Sequence, residues 1–210
     1  MDKPLLYAII HDVTERIRDE IANAFRLSML QMLDTSTIKD VLQKTLDEAE
    51  KLTMSSIGFF HFVEENQRIL SLQAWSTNTE KNVCKVPEKK EHYSLTEAGV
   101  WADAVRERRG VIHNNYASLK GRKGIPEGHV ALLREAVIPI FHNEKIIAIM
   151  GVGNKLCDYD KDDLFWLELL AGHVQHIIAI KVGKEKEDVL KMQNYIIEKL
   201  AMQSRYSIKK

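Results

Sequence analysis

The chain has 210 residues, 45% of them apolar, with 30 acidic side chains balanced by 30 basic ones, which suits one domain with a real core plus extra helices and argues against a dedicated nucleic-acid or anionic-membrane surface. No apolar run approaches the ~20 residues of a membrane span, and Met1-Asp2-Lys3-Pro4 lacks the layout of a signal peptide. Two cysteines, Cys84 and Cys157, make neither a disulfide framework nor a metal quartet, so the expectation is a reducing, cytoplasmic protein.

Leu5 to His11 is short and apolar, a strand or the first turns of a helix. Asp12 or Thr14 is a plausible N-cap, and Ile17, Ile21, Ala24 or Phe25, Met29 and Met32 then fall on one helical stripe. Leu33 to Thr37 breaks that pattern, Asp34, Thr35 or Ser36 can cap a second helix, and that helix runs to about Leu52 with Ile38, Val41, Leu42, Leu46 and Ala49 on one face. Ser55 to Val63 and Arg68 to Trp75 read as the two strands of a hairpin. In the second of these, alternation puts Leu70, Leu72 and Ala74 on one side and Ser71, Gln73 and Trp75 on the other. That strand runs into Ser76, Thr77, Asn78 and Thr79, hydroxyls and amides that satisfy backbone at a strand end. An aromatic wall beside placed polar groups is the make-up of a small-molecule site.

Val83 to Glu91 is a charged loop, and Glu97 to Arg109 is a helix stopped by Gly110. Val111 to His113 is a short strand that ends in Asn114, Asn115 and Tyr116, and Ala117 to His129 is a Gly-rich surface loop. Glu135 to Phe141 and Lys145 to Val152 are two more strands. Asp158 to Asp163 caps a long helix with Leu164, Leu167, Leu170, Val174, Ile177, Ile178 and Val182, and a further stripe follows at Leu190, Ile196 or Ile197, and Leu200. The class is α+β: an antiparallel sheet with N- and C-terminal helices on one face. The other face is left for the segment between Asn78 and Arg134.

Trp75 and Trp101 beside the polar strand ends point to a pocket, with His113 and His129 as ligand contacts; His61 faces either this pocket or the helices. Cys84 lies among Lys81, Lys85, Lys89 and Lys90, cations that lower a thiol pKa. There is no Gly-x-Ser-x-Gly elbow, no phosphate loop ending in Gly-Lys-Ser/Thr, no zinc-type spacing and no kinase glycine box. The expectation is therefore a non-enzyme with no catalytic residue and no metal ligand.

Several segments carry a resemblance: Ser-Ile-Gly-Phe-Phe-His-Phe-Val at 56–63, Gln-Ala-Trp-Ser-Thr-Asn-Thr at 73–79 with Cys84, Gly-Val-Trp-Ala-Asp-Ala-Val-Arg-Glu-Arg-Arg at 99–109, Val-Ile-His-Asn-Asn-Tyr at 111–116, Pro-Glu-Gly-His at 126–129, and Ile-Met-Gly-Val-Gly-Asn-Lys at 149–155. Together they resemble a GAF domain of the subtype found in bacterial and archaeal PAS/GAF multidomain sensor kinases. Asp12-Val13-Thr14-Glu15-Arg16 looks like the end of a PAS domain leading into a signalling helix. The implied organisation is a PAS-end-like strand and helix over 1–32, a GAF domain over 33–182 and a signalling or linker helix over 183–210.

The resemblance implies a regulatory domain of a two-component sensor. A small molecule or cofactor would sit on the sheet face opposite the helices, with Trp75, Ser76, Thr77, Trp101, His113, Tyr116, His129 and Asn154 as its contacts. It implies signalling through the terminal helices to a kinase or other output domain outside this chain, and no nucleic-acid or membrane partner. A homodimer is expected through Ile17, Ile21 and Phe25 and through Leu190, Ile197 and Leu200. GAF ligands vary, and the resemblance does not name this one. Some GAF domains of methanogen redox sensors carry haem attached through a cysteine; on that pattern Cys84 tethers the haem and His129 ligates its iron. The rivals are a ligand-free dimerisation spacer and a redox enzyme. Free-methionine sulfoxide reductases use this fold with a cysteine cluster that Cys84 and Cys157 do not resemble.

Overall fold

The computed structural model describes residues 12–64, 66–83, 92–122 and 130–180. Helix α1 spans Thr14–Gln31, and the Asp12 carboxylate accepts the Thr14 N–H at 2.9 Å. Helix α2 spans Ile38–Thr53 and opens on a reciprocal cap. The Asp40 N–H donates to the Thr37 hydroxyl oxygen at 3.2 Å, while the Thr37 N–H donates back to the Asp40 carboxylate at 2.8 Å. It stops at Met54, which is left-handed with φ 53°. Its apolar stripe Val41, Leu42, Leu46 and Ala49 is wholly buried, and each fully buried leucine there contributes about 1.5–3 kcal/mol. The last helix of the described chain, α4, covers 161–180, and Asp163 accepts from the Asp160 N–H just before it.

The sheet has six strands: β1 Ile57–Val63, β2 Ile69–Trp75, β3 His92–Ser94, β4 Val111–His113, β5 Glu135–His142 and β6 Lys145–Gly153. Their order is β3-β2-β1-β6-β5-β4, with every neighbouring pair antiparallel. The α+β class expected from the sequence is the class observed. Two local readings change. The edge strand β3 forms just beyond the charged loop, a three-residue element too short to show a period. The helix expected over Glu97 to Arg109 is a 3-10 turn, Val100–Ala102, followed by the short helix α3, Asp103–Glu107. The expected Leu5–His11 strand and the stripe at Leu190, Ile197 and Leu200 lie outside the described residues.

The simple alternation of β2 also fails, because the β1–β2 ladder is bulged. Phe60 opposes Ala74, but His61 opposes Leu72, leaving Gln73 as the extra residue. Ala74 therefore joins Phe60 in the helix-side core, whereas Leu70 opposes Val63 in the core on the other face. Phe25 and Met29 of α1, the stripe of α2, and Leu167, Leu170, Val174, Ile177 and Ile178 of α4 cover the first face. Ala98, Ala102, Ala104, Val105 and Trp101 cover the second.

Candidate functional site

The second face carries the chemistry. Strands β4 and β5 are in register with Val111 opposite Val137 and His113 opposite Glu135. Residues directly opposite share a face, so Glu135 lies on the same side as Val137, a member of that second core. The segment crossing this face is held by Arg106, whose guanidinium donates to the carbonyls of Leu95 and Ala98 at 2.7 Å and of Gly99 at 2.9 Å. That anchoring sets Trp101 on His61, with ring centroids 4.8 Å apart and planes 27° apart, and edge-on to Phe59 at 6.3 Å. A Cβ on Gly99 would lie 3.2 Å from the Trp101 ring and 3.7 Å from the Tyr116 hydroxyl, so Trp101 and Tyr116 flank one stretch of backbone. Underneath, the Phe59 ring fills the notch over Gly151, where ring carbons would come within 2.8 Å of any Cβ.

A row of alternating charge runs through this cluster. Arg106 pairs with Asp103, and Asp103 Oδ2 lies 3.6 Å from His113 Nε2. His113 Nδ1 lies 2.8 Å from Glu135 Oε1. Glu135 is 0% exposed, and its Oε2 has no hydrogen-bond partner among the described residues. The hydrogen bond to Glu135 raises the His113 pKa against the pull of burial, and the charges of Glu135, Asp103 and Glu107 add to it. Burial pushes Glu135 upward, partly offset by His113. Burial also raises Tyr116, with the Glu135 charge adding. His61, enclosed beneath Trp101, is driven down to about 3 by desolvation.

Of the residues singled out by sequence, Trp101, His113 and Tyr116 come together here. Trp75 opposes Phe59 in the ladder and so shares this face. Ser76 and Thr77 do not. The Ser76 hydroxyl donates to Glu50 of α2, and Thr79 Oγ1 lies 3.3 Å from the same oxygen and accepts the Gly58 N–H at 2.9 Å. The Thr77 N–H and hydroxyl donate to Asp47 of α2 at 2.7 and 2.8 Å. Past Trp75 the chain winds into a π-helical turn, Thr79–Val83, and the hydroxyls of Ser76 and Thr79 satisfy a buried carboxylate on the helix side.

Asn154 is occupied as a clamp. With φ 59°, it accepts the Leu133 N–H and donates to the Ala131 carbonyl, both at 2.8 Å, fixing the stretch that leads into β5. Cys84 and His129 lie outside the described residues. Phe25, expected in a dimer interface, is 5% exposed and packs 6.2 Å from the His173 ring, so it belongs to the core of this chain; Ile17 is 45% exposed. Sequence reasoning missed Glu135 and Asp103. The available signal was a carboxylate opening an apolar strand at the parity of Val137.

Among the described residues, no group of three His, Cys, Asp or Glu side chains could hold a metal ion, and no helix is long and apolar enough to cross a membrane. A hollow of about 310 Å³ lined by Val63, Gln67, His142, Asn143 and Lys145 lies at the far end of β1, away from the charged row.

Known proteins sharpen the assignment. The family model for the GAF domain matches residues 35–179. A methyl sulfide methyltransferase-associated sensor of Methanosarcina acetivorans is 33% identical over 190 residues, covering 87% of this chain; the chain spans 19% of that relative's length. The GAF domain of a phosphoenolpyruvate-protein phosphotransferase from Coxiella burnetii superposes with a TM-score of 0.63 at 12% identity, over 79% of this chain and 96% of that one. A free methionine-R-sulfoxide reductase from Neisseria meningitidis does so with 0.61 at 14% identity, over 86% and 98%. At such identities these two likenesses concern the fold alone. With its helix-backed antiparallel sheet, its crossing segment on the opposite face and a family match over most of its length, this chain belongs to the GAF domain family.

Proposed function

We propose that this chain is the sensory module of a larger cytoplasmic two-component protein. A small molecule or cofactor binds on the face of Trp101, Tyr116, His113 and Glu135. The observation that carries the reading is the Glu135 carboxylate, enclosed beneath that face with one oxygen bonded and the other without a partner among the described residues. A fold that only separated two domains has no use for a half-satisfied buried acid, since such a group opposes folding. The sensor of Methanosarcina acetivorans, with five times the length of the matched region, supports further domains around this one.

The route out is the polar latch between β2 and α2. Ser76 and Thr79 on Glu50, and Thr77 on Asp47, tie the end of a ligand-face strand to the helix layer. In this reading the segments 1–32 and 183–210 carry the signal, the former as the continuation of a PAS domain, and two copies associate through their terminal helices. Native mass spectrometry of protein exposed to a cell extract of its host tests the reading. Retention of a small molecule, lost in Trp101→Ala, supports it; protein that retains nothing and whose Trp101 indole signal is unmoved by the extract refutes it and leaves the spacer reading.

Haem is one candidate occupant, with Cys84 as tether and His129 as iron ligand. A haem would supply redox or gas-binding chemistry, and the thiol is the protein group that adds to a haem vinyl. Haem-reconstituted protein is then expected to show a Soret band. The colour should survive acid-acetone extraction in wild type and leave with Cys84→Ala. Wild-type protein that takes up no haem eliminates this occupant without touching the site.

A further inference from the structure

Among the described residues, the buried acids other than Glu135 have donors or a cation at hand. Lys155 is held by both carboxylate oxygens of Asp163 at 2.8 Å. Glu50 receives Ser76 and Thr79. Among the described residues Glu135 is bonded through Oε1 alone, although it is 0% exposed. An unbonded carboxylate oxygen away from water is strongly disfavoured, so its retention points to a donor beyond the described residues, which a bound ligand would supply. The open side of this nook is His113, with a side chain 13% exposed, and Asp103 at 24%.

The charge row tells what kind of donor fits. With His113 protonated, the state its bond to Glu135 favours, Arg106 and His113 match Asp103 and Glu135, and Arg109 matches the nearby Glu107, so the row is neutral. A cationic ligand would add an unmatched charge in a poorly solvated place, and an anionic one would also face Glu135 directly. Beside the row stand Trp101 and Tyr116, apolar walls at the backbone of Gly99.

We infer that the site takes an uncharged small molecule, which donates an amide-, lactam- or hydroxyl-type hydrogen to Glu135 Oε2 and lays its apolar part against Trp101 and Tyr116. The inference rests on the reading of this cluster as a ligand site. It goes beyond that reading by fixing the ligand's charge and the atom that anchors it.

Three probes with one ring and nearly one shape decide it: benzamide, benzamidinium and benzoate, which are neutral, cationic and anionic. Each is titrated into the ¹⁵N-labelled chain while the Trp101 indole N–H is followed, its signal assigned by its loss in Trp101→Phe. Benzamide is expected to half-saturate at a concentration about tenfold or more below the other two, the discrimination one charge-assisted hydrogen bond supplies. Glu135→Gln is expected to abolish that preference. Benzoate or benzamidinium matching or exceeding benzamide overturns the inference while leaving the ligand site standing. Benzamide binding that is unchanged in Glu135→Gln overturns Oε2 as the anchor. Failure of all three probes to move Trp101 overturns the inference together with the site. The ranking on the wild-type chain decides the charge class even where Glu135→Gln does not fold.

Discussion

Replacing His113 by Ala takes away the one hydrogen bond that Glu135 makes among the described residues. The acid then has two ways to exist in the folded chain. Left ionised, it is a buried charge without a partner, a loss of about 3–5 kcal/mol. Protonated, it escapes that penalty but must hold a proton against the solvent, at about 1.4 kcal/mol per pH unit above its unfolded value near 4.3. At pH 7 the second route amounts to about 3–4 kcal/mol, so the two nearly coincide; because burial already raises Glu135 in the wild type, the variant is expected to lose up to that much. At pH 5 protonation accounts for only about 1 kcal/mol. The sign follows from linkage: in the variant the folded pKa of Glu135 lies above the unfolded one, so its contribution is present at low pH and is lost as pH rises toward the folded value. Urea unfolding followed by tryptophan fluorescence at pH 5 and pH 7 measures both numbers. Adding Glu135→Leu should restore at least half of the loss at pH 7. A loss below about 1 kcal/mol at pH 7, or one equal at both pH values, would refute the enclosed pair as the origin of the effect.

Gly151→Ala is expected to lower the unfolding free energy by about 1–3 kcal/mol, because its Cβ would enter the Phe59 ring; Phe59→Leu in the same chain should recover part of this, and a neutral Gly151→Ala contradicts the packing. His61, with a folded value of about 3 against an ordinary 6.5, contributes stability above pH 6.5 that is lost as the pH falls, at about 1.4 kcal/mol per unit. The wild-type-minus-His61→Phe difference should therefore shrink steadily between pH 6.5 and 4.5, and a flat difference sinks the assignment. Glu50→Ala leaves the Ser76 hydroxyl without its acceptor on α2 and is expected to lower stability by about 1–3 kcal/mol, with hydrogen exchange quickening at Gly58 and Thr79; unchanged exchange there argues against the latch. Asn154→Gly keeps the left-handed backbone but removes the bonds to Ala131 and Leu133; faster exchange at Leu133 with β6 unaffected is the expected outcome.

Much of the architecture was legible before any coordinates. The 3.6-residue stripe of α2, the apolar runs of β1, β5 and β6, and the helix-backed antiparallel sheet all follow from spacing, a local property of the chain, whereas the cap of α2 is Thr37 rather than Asp34, Thr35 or Ser36. Trp101, His113 and Tyr116 were also legible as residues that meet on one face, because strand ends and the crossing segment bring them there. What sequence order could not show was which way a residue turns once the ladder slips. The bulge at Gln73 sends Ala74 to the helices and leaves Leu70 on the other face, and the π-helical turn after Trp75 commits Ser76 and Thr77 to α2. Both events depend on partners distant in the chain: Phe60 and His61 in the ladder, Glu50 and Asp47 on the helix. Glu135 is the clearest case. In the sequence it is a surface-type acid at the start of a strand, and only its registration opposite His113, with Asp103 and Arg106 brought over from the crossing segment, makes it a buried member of a neutral charge row. Periodicity records which residues want to leave water; it carries no record of which distant charge will be waiting for them, because that pairing is set by long-range register rather than by neighbours along the chain.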